Sequence, residues 1–93
     1  MKKLVQVQEV DGEGLVGLMG QNITFFCLNY IYTGKLTGVN KEDLLLESPR
    51  IVYETGELTS KEFKDAQALP HDLYIRISSI ESYMVLDKKW NDQ

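Results

Sequence analysis

Arg76, set in the run Ile75-Arg76-Ile77, carries the most evident chemistry in this sequence. Its planar fork of donors matches a phosphate or the acceptor edge of guanine. A strand arginine paired with a neighbouring carboxylate, within its own subunit or across an interface, would read the same way. Five tyrosines, Tyr30, Tyr32, Tyr53, Tyr74 and Tyr83, offer rings on which a nucleobase can stack. Tyrosine is also a common strand residue with a polar tip, so most of the five are expected in packing or interfaces. Cys27 is the single cysteine and lies in an apolar alternation with no histidine near it in sequence. It reads as an inert core residue, and no disulfide can form within the chain. His71, between Pro70 and Asp72, reads as a loop residue ahead of a strand, with a pH-sensitive interface group as its chemical option. No Cys, His and carboxylate cluster has metal-ligand spacing; Glu47, Glu54, Glu57, Glu62 and Asp65 read as a solvated face. No nucleophile with a base, phosphate loop or dinucleotide glycine pattern appears, so neither an enzyme nor a cofactor is expected. The run Lys88-Lys89-Trp90-Asn91 reads as a frayed terminus or a small tail that touches nucleic acid.

These residues sit in a chain of 93 residues with a formal net charge of −4 and a pI of about 4.9. That length suits a single domain over 1–93, since chains usually divide only beyond roughly 250 residues. Hydrophobic residues make up 43% and charged residues 26%, which argues against intrinsic disorder. A core this small is marginal, so association with further copies is expected. The acidic balance argues against a protein wrapped in nucleic acid by bulk charge but leaves room for a local site. No apolar run is long enough to span a membrane, and the Met1-Lys2-Lys3 start is not followed by a signal-like apolar stretch. A reducing, cytoplasmic setting is the simplest expectation.

The elements that must position the chemistry are mainly β. Ile23, Phe25 and Cys27 alternate with Thr24, Phe26 and Leu28, so both faces of a first strand are largely apolar. After a break at Asn29-Tyr30, Tyr32, Gly34 and Leu36 share one parity in a second strand. Residues 38–43 form a polar turn. Leu44-Leu45-Leu46 opens a third strand, which Pro49 should bend or end, and Ile51-Val52-Tyr53 can resume it. Leu73, Ile75 and Ile77 alternate against Tyr74, Arg76 and Ser78 in a fourth strand; Ile80, Ser82, Met84 and Leu86 share a face in a fifth. Thr59-Ser60-Lys61-Glu62 has the form of a capping box, with Phe63, Ala66 and Leu69 on one helical face and Pro70 as a stop. A short helix is therefore expected within the connection over residues 54–69. Residues 3–10 read as a strand, residues 11–14 as a turn, and residues 15–20 as a short helix ended by Gly20, or a strand. Five short strands with tight turns make a strongly bent antiparallel sheet, of the SH3-like or OB-like small-barrel type.

Two stretches carry a closer resemblance. Gly20-Gln21-Asn22-Ile23-Thr24-Phe25-Phe26-Cys27 followed by Tyr32-Thr33-Gly34-Lys35-Leu36 resembles the first motif of the Sm/LSm family, and Ile75-Arg76-Ile77-Ser78-Ser79-Ile80 resembles the second. Between them, Asn40-Lys41-Glu42-Asp43-Leu44-Leu45-Leu46 stands where the family carries an Asp and then an Asn ahead of apolar residues. The resemblance spans about residues 18–86. It implies a bent five-stranded sheet, commonly preceded by a short helix. It also implies a ring in which the fourth strand of one subunit pairs with the fifth of the next, here near residues 71–77 and 80–86. Single-stranded RNA binds near the pore of such rings, which implies a site at Asn40, Lys41, Asp43 and Arg76. Ring closure would also cover strand edges that carry few charges.

The departures bear on that site. The carboxylate and the amide are exchanged between Asn40 and Asp43, in a loop one residue shorter. An ionised Asp43 can only accept hydrogen bonds, whereas an asparagine both donates and accepts. Lys41 stands where a family member often presents a stacking residue; it offers charge and cation–π contact instead. Ile77 replaces a glycine after Arg76, and Tyr30 replaces a glycine in the first turn. The expectation is therefore a homo-oligomeric Sm-like ring that binds single-stranded RNA, or nucleic acid more generally, in RNA processing or regulation. The alternative is a ring or barrel for protein–protein assembly with no nucleic-acid role. A plain polar turn remains the simple reading of residues 40–43.

Overall fold

The structure is a computed structural model and describes residues 14–86, together with the backbone of residues 89–90. The strand and turn expected over residues 3–13 lie outside the described residues, as does most of the 88–91 tail. The chain begins with a four-residue helix, α1 (Gly14–Gly17). Two turns carry it on to Gly20, whose φ of +87° is a left-handed geometry natural to glycine. Leu15 and Leu18 from this segment pack on the core. Of the two expectations for residues 15–20, the helix is the one seen.

The strands follow in the expected order. They are β1 (Asn22–Cys27), β2 (Ile31–Val39), β3 (Asp43–Glu54), β4 (Glu62–Phe63), β5 (Asp65–Ala68), β6 (Leu73–Arg76), β7 (Ile80–Met84) and β8 (Lys89–Trp90). A turn of 3-10 helix over Ile77–Ser79 joins β6 to β7. The main sheet is antiparallel and runs β5-β3-β2-β1-β7, with β6 also on β3. β6 and β7 pair different strands, so the sheet stays open and does not close into a barrel.

β3 organises the molecule because it is long enough to serve two neighbours on one edge. Its first half, Asp43 to Leu46, pairs β6, and its second half, Arg50 to Glu54, pairs β5. The change falls at Ser48, held at φ 51°, and Pro49. Proline lacks the ladder donor, so the strand bulges there rather than ending. Gly34 lies opposite this bulge: a Cβ there would meet the Glu47 carbonyl oxygen and the Pro49 Cα at 3.2 Å. The glycine of the Tyr32-x-Gly34 pattern thus admits the kinked backbone of β3.

One face of the sheet holds the core: Ile23, Phe25, Leu36, Leu44, Leu46 and Ile75 are buried together. Alternation turns Thr24 and Thr33 to the opposite face, where they are also buried. They pair across β1 and β2 and share a hydroxyl–hydroxyl contact of 3.2 Å. Val52 and Phe63 are buried outside the main core cluster.

The helix expected in the connection is absent. Residues 58–61 form a turn, and residues 62–68 form β4 and β5. Ser60, rather than Thr59, takes the capping role in a different geometry: its hydroxyl oxygen accepts from the Glu62 amide at 3.2 Å, a local turn. Fewer than a dozen residues before Pro70 make a weak isolated helix. The open edge of β3 offers Ala66 and Ala68 ladder partners at Val52 and Arg50, and that pairing prevails.

Candidate nucleic-acid interface

The two motif stretches meet at one end of the sheet. The turn between β2 and β3 is closed by the Asn40 amide donating to the Asp43 carbonyl at 2.8 Å. The Asn40 side-chain amide also donates to Asp43 Oδ1 at 2.8 Å. An ionised carboxylate accepts only, so this contact sets which way the Asn40 amide points. Asp43 and Arg76 are register partners of β3 and β6. The turn after Arg76 is tied down twice: the Ile77 amide donates to the Glu42 carbonyl at 2.9 Å, and the Ser79 hydroxyl donates to the Arg76 carbonyl at 2.8 Å. Ile77 packs on the core and keeps a negative φ.

All four predicted residues therefore lie on one turn and its facing strand end. Asn40, Lys41 and Arg76 are exposed, and Asp43 is half-buried. Arg76 faces Asp43 in register. The guanidinium of this exposed residue is available to a ligand. Lys41 adds a second exposed cation beside the acceptors of Asn40 and Asp43.

The sequence presents the tyrosines as a set, and the structure separates them. Tyr32 is half-buried on the core, 6.2 Å ring to ring from Tyr30. Tyr83 lies 5.8 Å from the Phe25 ring. The Tyr53 hydroxyl donates to Gln67 Oε1 at 3.0 Å. Tyr74 alone shares a strand with Arg76, and it is 63% exposed. Its parity with Arg76 in the fourth strand was the signal that could have marked it.

Other groups offer little chemistry. Burial pushes the Cys27 thiol up from its ordinary 9.0, with the Ser79 hydrogen bond opposing and Glu81 adding, so the thiolate is scarce at neutral pH. Burial likewise raises Tyr32, with smaller contributions from Cys27 and Tyr30. Among the described residues no three His, Cys, Asp and Glu side chains are grouped to hold a metal ion. Two open hollows of about 410 and 420 Å³ lie elsewhere, one over Gly56, Ser60 and Phe63 and one at Pro49 and Leu69. No described helix is long and apolar enough to cross a membrane. Compared with known proteins, the chain matches no family model and no curated protein.

Proposed function

We propose that this chain is an Sm-like subunit of a homo-oligomeric ring that binds single-stranded RNA, or nucleic acid more generally, in RNA processing or regulation and without catalysis. The observation that carries the reading is the pairing of Asp43 with Arg76, which puts the β2–β3 turn and the end of β6 side by side. The pairing brings residues of both motif stretches, about 35 residues apart in sequence, to one exposed end of the sheet. The strand order β6-β3-β2-β1-β7 in an open antiparallel sheet, with a 3-10 turn between its two outer strands, supports an Sm-like arrangement.

Assembly follows from the edges. β6 pairs only β3, and β7 pairs only β1, so each offers one unpaired edge among the described residues. Tyr74 on β6 and Tyr83 and Met84 on β7 are exposed, with Val85 just beyond. Pairing β6 of one copy with β7 of the next removes both edges at once, and repetition closes a ring. A weak Asn40/Lys41/Asp43/Arg76 site then recurs around the ring and gains affinity through effective concentration. Because the charge of −4 is also multiplied, binding rests on Lys41 and Arg76 as local cations in an acidic body.

The test is a salt titration of oligo-U and oligo-A RNA binding with the native chain and Arg76→Ala. Salt-sensitive binding in the micromolar range, weakened by Arg76→Ala, supports the site. No salt-sensitive binding at tens of micromolar, or an unaltered affinity in the variant, sinks it. The second reading, a protein-assembly ring, is favoured by the same exposed apolar edges and by the acidic charge. Protein partners recovered without nucleic acid would support that reading instead.

A further inference from the structure

Resting on the nucleic-acid reading above, we infer that Tyr74, Asp43 and Arg76 form a base-selective site on the outward face of the sheet. It takes a base whose edge carries an amino group, guanine above all, and disfavours uracil. Leu44 and Ile75 are register partners and both are buried in the core. Successive strand residues point to opposite faces, so their neighbours Asp43, Leu45, Tyr74 and Arg76 point outward together. Tyr74 and Arg76 are two residues apart on β6, about 6.5 Å. Asp43 stands opposite Arg76 and diagonal to Tyr74, at about 7–8 Å. That spacing lets a base stacked on the Tyr74 ring present its edge to Asp43 while Arg76 meets the adjoining phosphate.

The selectivity comes from the hydrogen bond within the turn. Asn40 donates to Asp43 Oδ1, which fixes the carboxylate and leaves Oδ2 with no partner among the described residues. The carboxylate accepts and never donates. Guanine offers two adjacent donors on its pairing edge, N1–H and the N2 amino group, and fits a carboxylate in two parallel bonds. Adenine and cytosine offer one amino group beside an acceptor. Uracil offers a single N–H flanked by two carbonyl oxygens, which would face the carboxylate and be repelled. An exposed tyrosine two residues from an exposed arginine, beside an oriented carboxylate, is a recognition surface rather than a plain turn.

Fluorescence anisotropy with the RNA hexamers (GU)3, A6, C6 and U6, each titrated with salt, tests this. (GU)3 should bind about tenfold more tightly than U6, with A6 and C6 between. Asp43→Asn, which replaces an acceptor by a donor and keeps the shape, should bring (GU)3 and U6 within about threefold of each other. Tyr74→Ala should weaken the amino-bearing hexamers by about tenfold while Tyr74→Phe holds native affinity, since only stacking is needed. If U6 binds best, or the ranking is the same in Asp43→Asn, the inference is overturned while salt-sensitive, Arg76-dependent binding leaves the nucleic-acid reading standing. Salt-insensitive or absent binding to all four overturns both.

Discussion

Thr24→Val is the sharpest structural test of how the two faces of the sheet are held. Thr24 is fully buried and Thr33 is 1% exposed. Their two hydroxyl protons serve three contacts: Thr24 to Thr33 at 3.2 Å, Thr24 to the Leu86 carbonyl at 3.1 Å, and Thr33 to the Ile23 carbonyl at 3.1 Å. Once Thr33 donates to Ile23, the Thr24 proton can satisfy Thr33 or Leu86 but not both. Valine keeps the volume and removes that proton, so no cavity opens and the whole effect is polar. The loss is one hydrogen bond, about 1 kcal/mol, and an additional about 1 kcal/mol because the half-buried Leu86 carbonyl is left without its donor. Thr33→Val should cost less, about 1 kcal/mol, because Thr24 then donates to Leu86 without competition. The double variant should cost about 3 kcal/mol, since Thr24→Val removes the donor to the Leu86 carbonyl whether or not the Thr33 hydroxyl is present. Urea denaturation at fixed protein concentration measures all three, and thermal unfolding should show Thr24→Val lowering the melting temperature by about 8–16 °C. A Thr24→Val effect below about 0.5 kcal/mol, or a Thr33→Val effect larger than that of Thr24→Val, would refute the proton-sharing account.

Four other outcomes follow from the same geometry. Gly34→Ala drives a Cβ against the Glu47 carbonyl oxygen and the Pro49 Cα and should cost about 1–3 kcal/mol in urea denaturation. Ser48→Gly relieves a φ of 51°; the gain is reduced by the greater freedom of glycine in the unfolded chain, so a net stabilisation of about 0.5 kcal/mol is expected, and a loss would show that Ser48 is not strained. Leu44→Ala, at a fully buried core position, should cost about 2–5 kcal/mol. The raised Cys27 pKa means the folded chain holds its thiol proton after the unfolded chain has lost it, near its ordinary 9.0. Its stabilising contribution is complete below that pH and is lost as pH rises through the folded value. The urea midpoint should therefore fall from pH 8 to pH 10, and fall less in Cys27→Ala.

Much of the fold was legible because its strands obey a simple alternation. The parity of Leu73 and Ile75 against Tyr74 and Arg76 separates core from outward face, and the buried Ile75 with the exposed Tyr74 and Arg76 follow it. The doubly apolar β1 also has its reason: Phe25 enters the core while Thr24 is buried on the other face by Thr33 and the Leu86 carbonyl. Residues 62–68 misled because local helix signals ignore the open edge of β3, which no local pattern reveals. At the site, the residue types were readable but their orientation was not. The bond from Asn40 to Asp43 exists only once the turn closes, and that bond fixes the direction in which the Asp43 carboxylate accepts. The closeness of Asp43 to Arg76 likewise depends on β3 and β6 pairing across the long connection that holds β4 and β5.

Native mass spectrometry of the chain at micromolar concentration, with and without a short single-stranded RNA, tests the central claim most directly. One closed oligomer that carries RNA is expected, with an Arg76→Ala oligomer of the same size that carries much less. A strictly monomeric species without bound RNA would contradict it.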